Sequence, residues 1–302
     1  MAFGWDTKES VPTEQRGNSK MKTKKARLSS FVNGISARVL GDPKLLRKLF
    51  KPIVVKIIGA VNLGRGIRVK IAGKYNVRLS PDFYFSNWEN FGSGHNSGFQ
   101  YVMDKVQDDT ILFDIGAHIG LVALPAATTA TSGSVHAFEP SEINNRYLEL
   151  HKSLNSATNL NIVNTLVGET SAEYEFFEDS TDVNAMGSIV GDIYENKNFK
   201  KVMKSAISID DYVAKTQAHP NMIKIDVEGA ELDVLKGARK TLQDHKPILV
   251  LSLHPSILNA ANVSVDEVLS LVRNHGYSLF EHDGTTPYQR STNEVICEIR
   301  NE

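Results

Sequence analysis

Short apolar runs alternate with segments of helical periodicity along most of the chain after residue 100. A strand buried on both faces of a parallel sheet has this unbroken apolar character, and a helix then leads to the next strand. The pattern predicts sheet strands at residues 111–113, 134–138, 159–167, 222–225, 247–253, 277–280 and 294–299. Because no helix separates the last two strands, it predicts an α/β fold with a doubly wound seven-stranded sheet, mostly parallel with one antiparallel strand.

Three regions of the chain differ in pattern. Residues 1–30 have few large apolar side chains and are predicted to form a disordered basic tail. Residues 31–100 are predicted to form an N-terminal extension of helices and one β-hairpin that ends in an aromatic loop. Residues 101–302 are predicted to form the main domain.

The first predicted strand of the main domain ends in Asp114, which is followed by Gly116 and Gly120. A glycine-rich exit lets the backbone turn sharply into a helix whose N-terminus faces a ligand. A dinucleotide site has no acid at this place, because a carboxylate repels a pyrophosphate. The acid favours a donor with an ammonium or sulfonium group, S-adenosylmethionine, over NAD; the alternative is a tight turn without a ligand.

The second predicted strand ends in Glu139, and Pro140 suits the first turn of the helix that follows. An acid at this strand end, about 20 residues after the glycine loop, is the residue that accepts hydrogen bonds from ribose hydroxyls. The alternative is an exposed glutamate before a helix. The combination with the glycine loop favours the ribose contact.

The composition places the chain among ordinary globular proteins. Its 302 residues are 41% apolar and 23% charged, and it has a single cysteine, Cys297. One cysteine excludes an internal disulfide framework and a metal cluster held by thiolates alone. The polar and basic start of the chain does not resemble a secretory signal, so a cytoplasmic location is expected.

Charge is distributed unevenly along the chain. Residues 16–70 contain 15 lysines and arginines and one acid, Asp42, although the whole chain has a net charge of −1. The favoured interpretation is a basic tail followed by helices that pack on the main domain. The alternative is peripheral contact of residues 16–70 with an anionic membrane surface.

Residues 82–100 contain six aromatic side chains and three glycines, and polar side chains lie between them. Aromatic faces with hydrogen-bonding groups beside them suit a sugar or another flat hydroxylated molecule. The predicted substrate-binding residues are Glu89, His95 and Asn96. The alternative is a buried aromatic cap over one end of the domain.

Four strings at the predicted strand ends resemble the FkbM family of S-adenosylmethionine-dependent methyltransferases. They are Phe-Asp-Ile-Gly-Ala-His-Ile-Gly at 113–120, Phe-Glu-Pro at 138–140, Lys-Ile-Asp-Val-Glu-Gly-Ala-Glu at 224–231 and Leu-His-Pro at 253–255. The resemblance covers residues 108–299, and the string at 226–231 is its most specific part. It implies the class I methyltransferase fold, which is Rossmann-like, and O-methylation of hydroxyls on sugars or natural products.

On such a scaffold the donor lies at the carboxyl ends of the first, second and fourth strands. Asp226 ends the fourth strand, where the strand order reverses, and is expected to face the transferring methyl group. The predicted cofactor-binding residues are Asp114, Gly116, Ala117, His118, Gly120, Glu139 and Asp226.

An alcohol acceptor also has to lose its proton, and the candidate catalytic residues are Asp226, Glu228 and His254. His254 is the candidate whose ordinary pKa best matches neutral pH. A hydrogen bond to the substrate or a structural contact with Asp226 is an equally simple role for it. The same groups could also hold a divalent cation, but no metal site is favoured, because Glu228 and Glu231 also suit the first turn of a helix.

Two other classes of function remain open from the sequence. The basic N-terminal region raises the alternative of a nucleic-acid methyltransferase. Against it, the chain has no Asn-Pro-Pro-Tyr or Asp-Pro-Pro-Tyr string of the kind that holds a flipped base, so nucleic acid is a disfavoured partner. The remaining alternative is a non-catalytic binding protein that keeps the fold.

Overall fold

The computed structural model describes residues 43–62, 64–94, 96–179 and 199–300. The predicted tail at residues 1–30 and the candidate substrate ligand His95 lie outside these ranges. Contacts between Cα atoms divide the chain into a first unit that ends at Gly64 and a second that begins at Arg65.

Within the described ranges, the first unit contributes one helix, and the second contains the remaining helices and the strands. The helices are α1 (Pro43–Val61), α2 (Gly98–Lys105), α3 (Ala123–Thr129), α4 (Glu142–Asn155), α5 (Ile209–Thr216), α6 (Glu231–Lys236), α7 (Arg239–His245), α8 (Pro255–Ala260) and α9 (Val265–Asn274). The strands are β1 (Ile67–Ile71), β2 (Tyr75–Leu79), β3 (Ile111–Ile115), β4 (Ser134–Phe138), β5 (Leu160–Val163), β6 (Leu166–Val167), β7 (Glu173–Asp179), β8 (Phe199–Ile207), β9 (Met222–Ile225), β10 (Ile248–Ser252), β11 (Ser278–Phe280) and β12 (Glu294–Glu298).

The central sheet has seven strands in the order β11-β12-β10-β9-β3-β4-β5. The pairs from β5 through to β10 are parallel, and β12 runs antiparallel to both of its neighbours. Strand order runs outward in one direction from β3 and in the other from β9, so these two strands flank the switch point where ligands bind in such sheets. This is the class I methyltransferase fold, and it confirms the predicted fold class.

The register aligns the carboxyl ends of the central strands. Asp114 on β3 pairs with Lys224 on β9, and Ile115 pairs with both Ile225 and Phe138. The apolar side chains of these strands are buried on both faces, as Phe113 and Ile223 show with 0% and 1% exposure. Burial of these apolar side chains sets the positions of the strands in the sheet. The polar residues that follow the strands therefore lie together at one edge of the sheet.

A second sheet, with the order β6-β8-β7, was not predicted from the sequence. The predicted strand at residues 159–167 is in fact two strands, because β5 joins the central sheet and β6 pairs with β8. The apolar spacing of Leu232, Leu235, Ala238 and Leu242 predicts one helix from residue 231 to about residue 244, but the structure divides it at Gly237 into α6 and α7. A Cβ at Gly237 would lie 2.1 Å from the carbonyl oxygen of Gly168, so this close approach to the second sheet needs glycine.

The β1–β2 hairpin, which was predicted as part of the extension at residues 31–100, lies in the compact unit that begins at Arg65. His151 of α4 accepts a hydrogen bond from the backbone of Ser80 at 2.9 Å, and Asn155 accepts one from the backbone of Arg78 at 2.7 Å. These contacts tie the end of β2 to the central domain.

Helix α1 shows an uneven distribution of apolar side chains. Ile53, Ile57 and Val61 recur every fourth residue and are 53%, 57% and 75% exposed. None of the helices within the described ranges is both long enough and apolar enough to cross a bilayer.

Candidate active site

A cavity of about 320 Å³ opens at the carboxyl ends of β3, β4 and β9. It is lined by the ends of these strands, by the loop after β3 and by part of the aromatic segment 82–100. Asp114, Glu139 and Asp226 all line it. The three acids that the sequence placed at strand ends therefore share one crevice.

Asp114 is the most buried acid of the cavity wall, with 1% exposure. Neither of its carboxylate oxygens makes a well-formed hydrogen bond within the described part of the chain. The nearest cation is the Nζ atom of Lys224, 3.8 Å from Oδ1. Burial raises the pKa of Asp114, and the charge of Lys224 opposes that rise.

The loop after β3 passes very close to the end of β9. Gly116 has a φ of +83°, and a Cβ at this residue would lie 1.8 Å from the carbonyl oxygen of Asp226. The backbone nitrogens of Gly116 and Ala117 both donate to the carbonyl oxygen of Phe138 at 3.0 Å. The absence of a side chain at Gly116 thus brings the ends of three strands together.

Glu139 connects the end of β4 to the glycine loop. Its Oε2 atom accepts a hydrogen bond from the backbone of His118 at 2.8 Å, and its Oε1 atom accepts one from the backbone of Ser141 at 2.9 Å. Burial is the main cause that raises the pKa of Glu139, and the neighbouring charge of His118 and the hydrogen bonds oppose it. These contacts hold the carboxylate at the cavity wall.

Lys224 carries a buried positive charge between two strand-end acids. Its Nζ atom lies 3.0 Å from Asp226 Oδ2, in addition to its contact with Asp114. Burial lowers the pKa of Lys224, but the charges of Asp226 and Asp114 outweigh burial and raise the pKa above its ordinary value. Lys224 was not predicted as a site residue, although a lysine inside the short apolar run 222–225 is a signal that could have identified it.

His254 lies at the end of β10, beside the residues that follow β9. Its Nδ1 atom is 2.7 Å from Glu231 Oε1, and its Nε2 atom is 3.6 Å from Asp226 and 3.5 Å from Glu228. Burial lowers the pKa of His254, but the hydrogen bond to Glu231 and the nearby carboxylates raise it to about 9 overall. His254 was one of three candidate bases predicted from the sequence, and its pKa lies above the ordinary value that matched it to neutral pH.

The aromatic segment contributes Trp88, Phe91 and Asn96 to the cavity wall. Of the predicted substrate-binding residues, Asn96 therefore lies at the cavity. Glu89 is exposed and is not among the residues that line the cavity, and His95 lies outside the described ranges. The rings of Trp88 and Phe91 were part of the predicted aromatic loop but were not named as site residues.

Comparison with known proteins places this site in a family. The family model of the methyltransferase FkbM domain matches residues 114–279. The matched segment begins at the strand-end acid Asp114 and includes Glu139, Asp226 and His254. Hexuronic acid methyltransferase AglP of Haloferax volcanii is 26% identical over 158 residues. The match covers 52% of this chain and 62% of that relative.

Solved structures of methyltransferases are also similar to this chain. The methyltransferase FkbM of Methylobacillus flagellatus KT has a TM-score of 0.41 and 20% identity, covering 63% of this chain and 44% of that one. The precorrin-6y C5,15-methyltransferase of Geobacter metallireducens GS-15 has a TM-score of 0.38 and 14% identity, covering 66% of this chain and 84% of that one. Because both scores are below 0.5, the fold assignment depends on the strand order described above. The family match covers more than half of the chain, which therefore belongs to the FkbM methyltransferase family.

Proposed function

We propose that this methyltransferase transfers the methyl group of S-adenosylmethionine to an oxygen atom of a sugar, a glycan or a related small molecule. The observation that carries the proposal is the shared cavity of Asp114, Glu139 and Asp226 at the ends of three adjacent strands. S-Adenosylmethionine carries a sulfonium, an ammonium and a ribose. A crevice lined by buried carboxylates matches those groups in charge and in hydrogen bonding.

The donor is proposed to lie across the switch point of the sheet. Asp114 would face the positively charged methionine part, and Glu139 would accept hydrogen bonds from the ribose hydroxyls. The loop of Gly116, Ala117, His118 and Gly120 lies between these two acids along the chain and provides close backbone approach. Asp226, beside the same loop, would face the methyl group.

The transfer itself requires little covalent work from the protein. A lone pair of the acceptor oxygen forms a bond to the methyl carbon as the bond from carbon to sulfur breaks. The electron pair of that bond stays on sulfur, so the positive sulfonium becomes a neutral thioether. Alignment of oxygen, carbon and sulfur in one line therefore supplies much of the acceleration, which for well-oriented reactants can reach about 7–11 kcal/mol.

A hydroxyl acceptor also gives up a proton during this step. Asp226, Glu228 and His254 are the proton acceptors proposed for it, and all three lie within one small volume. The raised pKa of His254 favours the two carboxylates over the imidazole as the base.

Carboxylate methylation is a second candidate reaction. The relative AglP is named as a hexuronic acid methyltransferase, and a hexuronic acid has a carboxylate as well as hydroxyls. A carboxylate is already ionised at neutral pH, so it needs no base, and Lys224 at the cavity provides a buried positive charge. The product distinguishes the two reactions, because a methyl ester is cleaved by mild alkali whereas a methyl ether is stable.

Helix α1 is proposed to attach the protein to an anionic membrane surface. The stripe of Ile53, Ile57 and Val61 is exposed, and Lys51 and Lys56 on the same helix are exposed too. An apolar stripe beside lysines is the composition of helices that lie in the membrane interface. Such attachment would place the enzyme near glycans that are assembled on lipid carriers.

Calorimetry with S-adenosylmethionine and S-adenosylhomocysteine tests the proposed donor. We expect Asp114→Asn and Glu139→Gln each to weaken binding at least about 10-fold, because each removes a charged hydrogen-bond acceptor. Glu142→Gln is a matched control, since this side chain is three residues from Glu139 but 59% exposed. The proposal is wrong if the unaltered protein binds neither compound, or if both cavity variants bind as tightly as the control.

A further inference from the structure

Asp226, Glu228 and His254 each direct one ligand atom into the same small volume at the ends of β9 and β10. These three atoms lie within 4.8 Å of one another. The Nε2 atom of His254 is 3.6 Å from Asp226 Oδ1 and 3.5 Å from Glu228 Oε1. Two ligands at right angles around a small divalent cation are about 3 Å apart, so the two distances to His254 Nε2 exceed that separation by only about half an ångström.

Two of these side chains, His254 and Asp226, use their second polar atom in a hydrogen bond with a buried residue. His254 Nδ1 is hydrogen-bonded to Glu231 Oε1 at 2.7 Å, and Asp226 Oδ2 to Lys224 Nζ at 3.0 Å. A metal-binding histidine almost always donates its second ring N–H to a carboxylate or a carbonyl, which orients the ring. The bond to Glu231 orients His254 in this way and directs Nε2 towards Asp226 and Glu228.

Glu231, the hydrogen-bond partner of His254 Nδ1, is a fully buried acid. It is 0% exposed, and its Oε2 atom has no hydrogen-bond partner within the described ranges. An ionised carboxylate at such a depth is costly unless a positive charge lies nearby. A cation on the far side of His254 would supply further positive charge to this buried acid.

The ligand set indicates which cations fit. It offers one imidazole nitrogen and carboxylate oxygens, and the single cysteine, Cys297, is buried elsewhere in β12. Oxygen ligands suit Mg²⁺, Ca²⁺ and Mn²⁺, and an imidazole among them shifts the preference towards Mn²⁺ and its neighbours. A metal ion that prefers thiolate ligands does not fit this set, because no cysteine belongs to it.

We propose that Asp226, Glu228 and His254 bind one divalent cation of the Mn²⁺ and Mg²⁺ class, with Glu231 as the outer partner of the histidine. Asp226 and Glu228 also line the cavity, so the cation would lie at its wall and hold oxygen atoms of the acceptor in its remaining coordination positions. This role towards the acceptor rests on the proposed function, whereas binding of the cation does not.

The test uses the full chain, treated with a chelator, dialysed, and titrated with MnCl₂ alone in the absence of donor and acceptor. The electron paramagnetic resonance signal of free Mn²⁺ and calorimetry together report affinity and stoichiometry. We expect one Mn²⁺ per chain. Glu228→Gln and His254→Gln should each weaken its binding at least about 10-fold, and Glu231→Gln should weaken it about 10–100-fold through the orientation of His254.

His245→Gln is the matched control, because His219 and His245 form a stacked pair of exposed rings 4.3 Å apart that is a second place for a metal to bind. This variant should bind Mn²⁺ as the unaltered protein does. Circular dichroism checks the folding of each variant. If one of the variants of Glu228, His254 and Glu231 does not fold, the comparison uses the other two of these three.

Absence of saturable Mn²⁺ binding overturns the proposal, as does unchanged affinity in the folded variants of Glu228, His254 and Glu231. Loss of binding in His245→Gln alone would assign the ion to the exposed histidine pair and would overturn it too. Binding of S-adenosylhomocysteine, measured on the same samples, separates this result from the proposed function: a protein that binds the donor product but not Mn²⁺ refutes only the metal site.

Discussion

The carbonyl oxygen of Asp226 lies 1.8 Å from the position that a Cβ at Gly116 would occupy. The loop that is proposed to hold the donor and the strand end that is proposed to face the methyl group are therefore in direct backbone contact. Any side chain at Gly116 has to separate them. The contact makes the geometry of the cavity depend on one glycine.

Gly116→Ala should consequently impair both stability and donor binding. Alanine at a positive φ costs about 1–2 kcal/mol, and the collision with Asp226 adds displacement of the backbone to that cost. Gly276→Ala is the matched control, because Gly276 has a φ of +85° and a Cβ added there would meet nothing within 4 Å. We expect S-adenosylhomocysteine affinity to fall at least about 10-fold in Gly116→Ala only, as measured by calorimetry. Equal affinity in the two variants would contradict the role of the contact.

Lys224 is the buried cation that contacts both Asp114 and Asp226. Its replacement by methionine leaves Asp114 and Asp226 facing each other without the cation between them. Removal of one partner from a buried ion pair typically costs about 3–5 kcal/mol. Chemical denaturation of Lys224→Met should show a loss of this order, and methyl transfer should fall with it.

Lys236→Met provides the comparison for Lys224→Met. Lys236 lies 3.9 Å from Glu169, and their side chains are 28% and 46% exposed, so this pair is well solvated. Its loss should change the free energy of unfolding by less than about 1 kcal/mol. If Lys224→Met proved as stable as Lys236→Met, the buried charge would not organise the strand ends.

The position of the acids could be predicted from the sequence, whereas their partners could not. Asp114, Glu139 and Asp226 each follow an apolar run, and the carboxyl ends of parallel strands meet at one edge of a sheet. Local pattern alone therefore indicated that they converge. The pairing of His254 with Glu231 joins residues that are 23 positions apart on different strand ends, and no local pattern specifies it.

The second sheet could not be predicted from the sequence for a related reason. Strand β6 has only two residues, and it pairs with β8 at Ala206 and Ile207, some 40 positions later in the chain. A two-residue strand has no periodicity of its own, so only the tertiary pairing defines it. The break at Gly237 also coincides with a distant contact, because a Cβ there would lie 2.1 Å from the carbonyl oxygen of Gly168.

His151 predicts an acid-sensitive step in stability. Its Nε2 atom accepts a hydrogen bond from the backbone of Ser80, and its Nδ1 atom donates one to the carbonyl oxygen of Ile119 at 2.9 Å. Protonation of Nε2 would replace this hydrogen bond by a repulsive contact between the N–H of His151 and the backbone N–H of Ser80. Burial lowers the pKa of His151 from its ordinary value of 6.5 to about 4, and the bond to Ile119 opposes part of that shift.

A histidine with a lowered pKa in the folded state binds its proton more readily after unfolding. Its contribution to stability is therefore complete above pH 6.5 and is lost as the pH falls towards 4. Since one pKa unit corresponds to about 1.4 kcal/mol, the loss should approach about 3 kcal/mol at most. Urea denaturation of the unaltered protein and of His151→Gln across this pH range measures the loss of stability that His151 causes. His136, whose pKa is also lowered to about 4, is present in both proteins, so its contribution cancels in the difference. A constant difference between the two proteins would refute the assignment.

The stripe on helix α1 makes membrane attachment testable in the full chain. Ile53→Asp combined with Ile57→Asp should reduce recovery with sedimented anionic vesicles more than about 10-fold, because burial of each isoleucine contributes about 1.5–3 kcal/mol. Met203→Asp is the control, since Met203 is 57% exposed, as Ile57 is, but lies on strand β8. Neutral vesicles should recover less of the unaltered protein than anionic vesicles, because Lys51 and Lys56 contribute by charge. Recovery of the double variant equal to that of the Met203 variant would show that α1 does not contact the lipid surface.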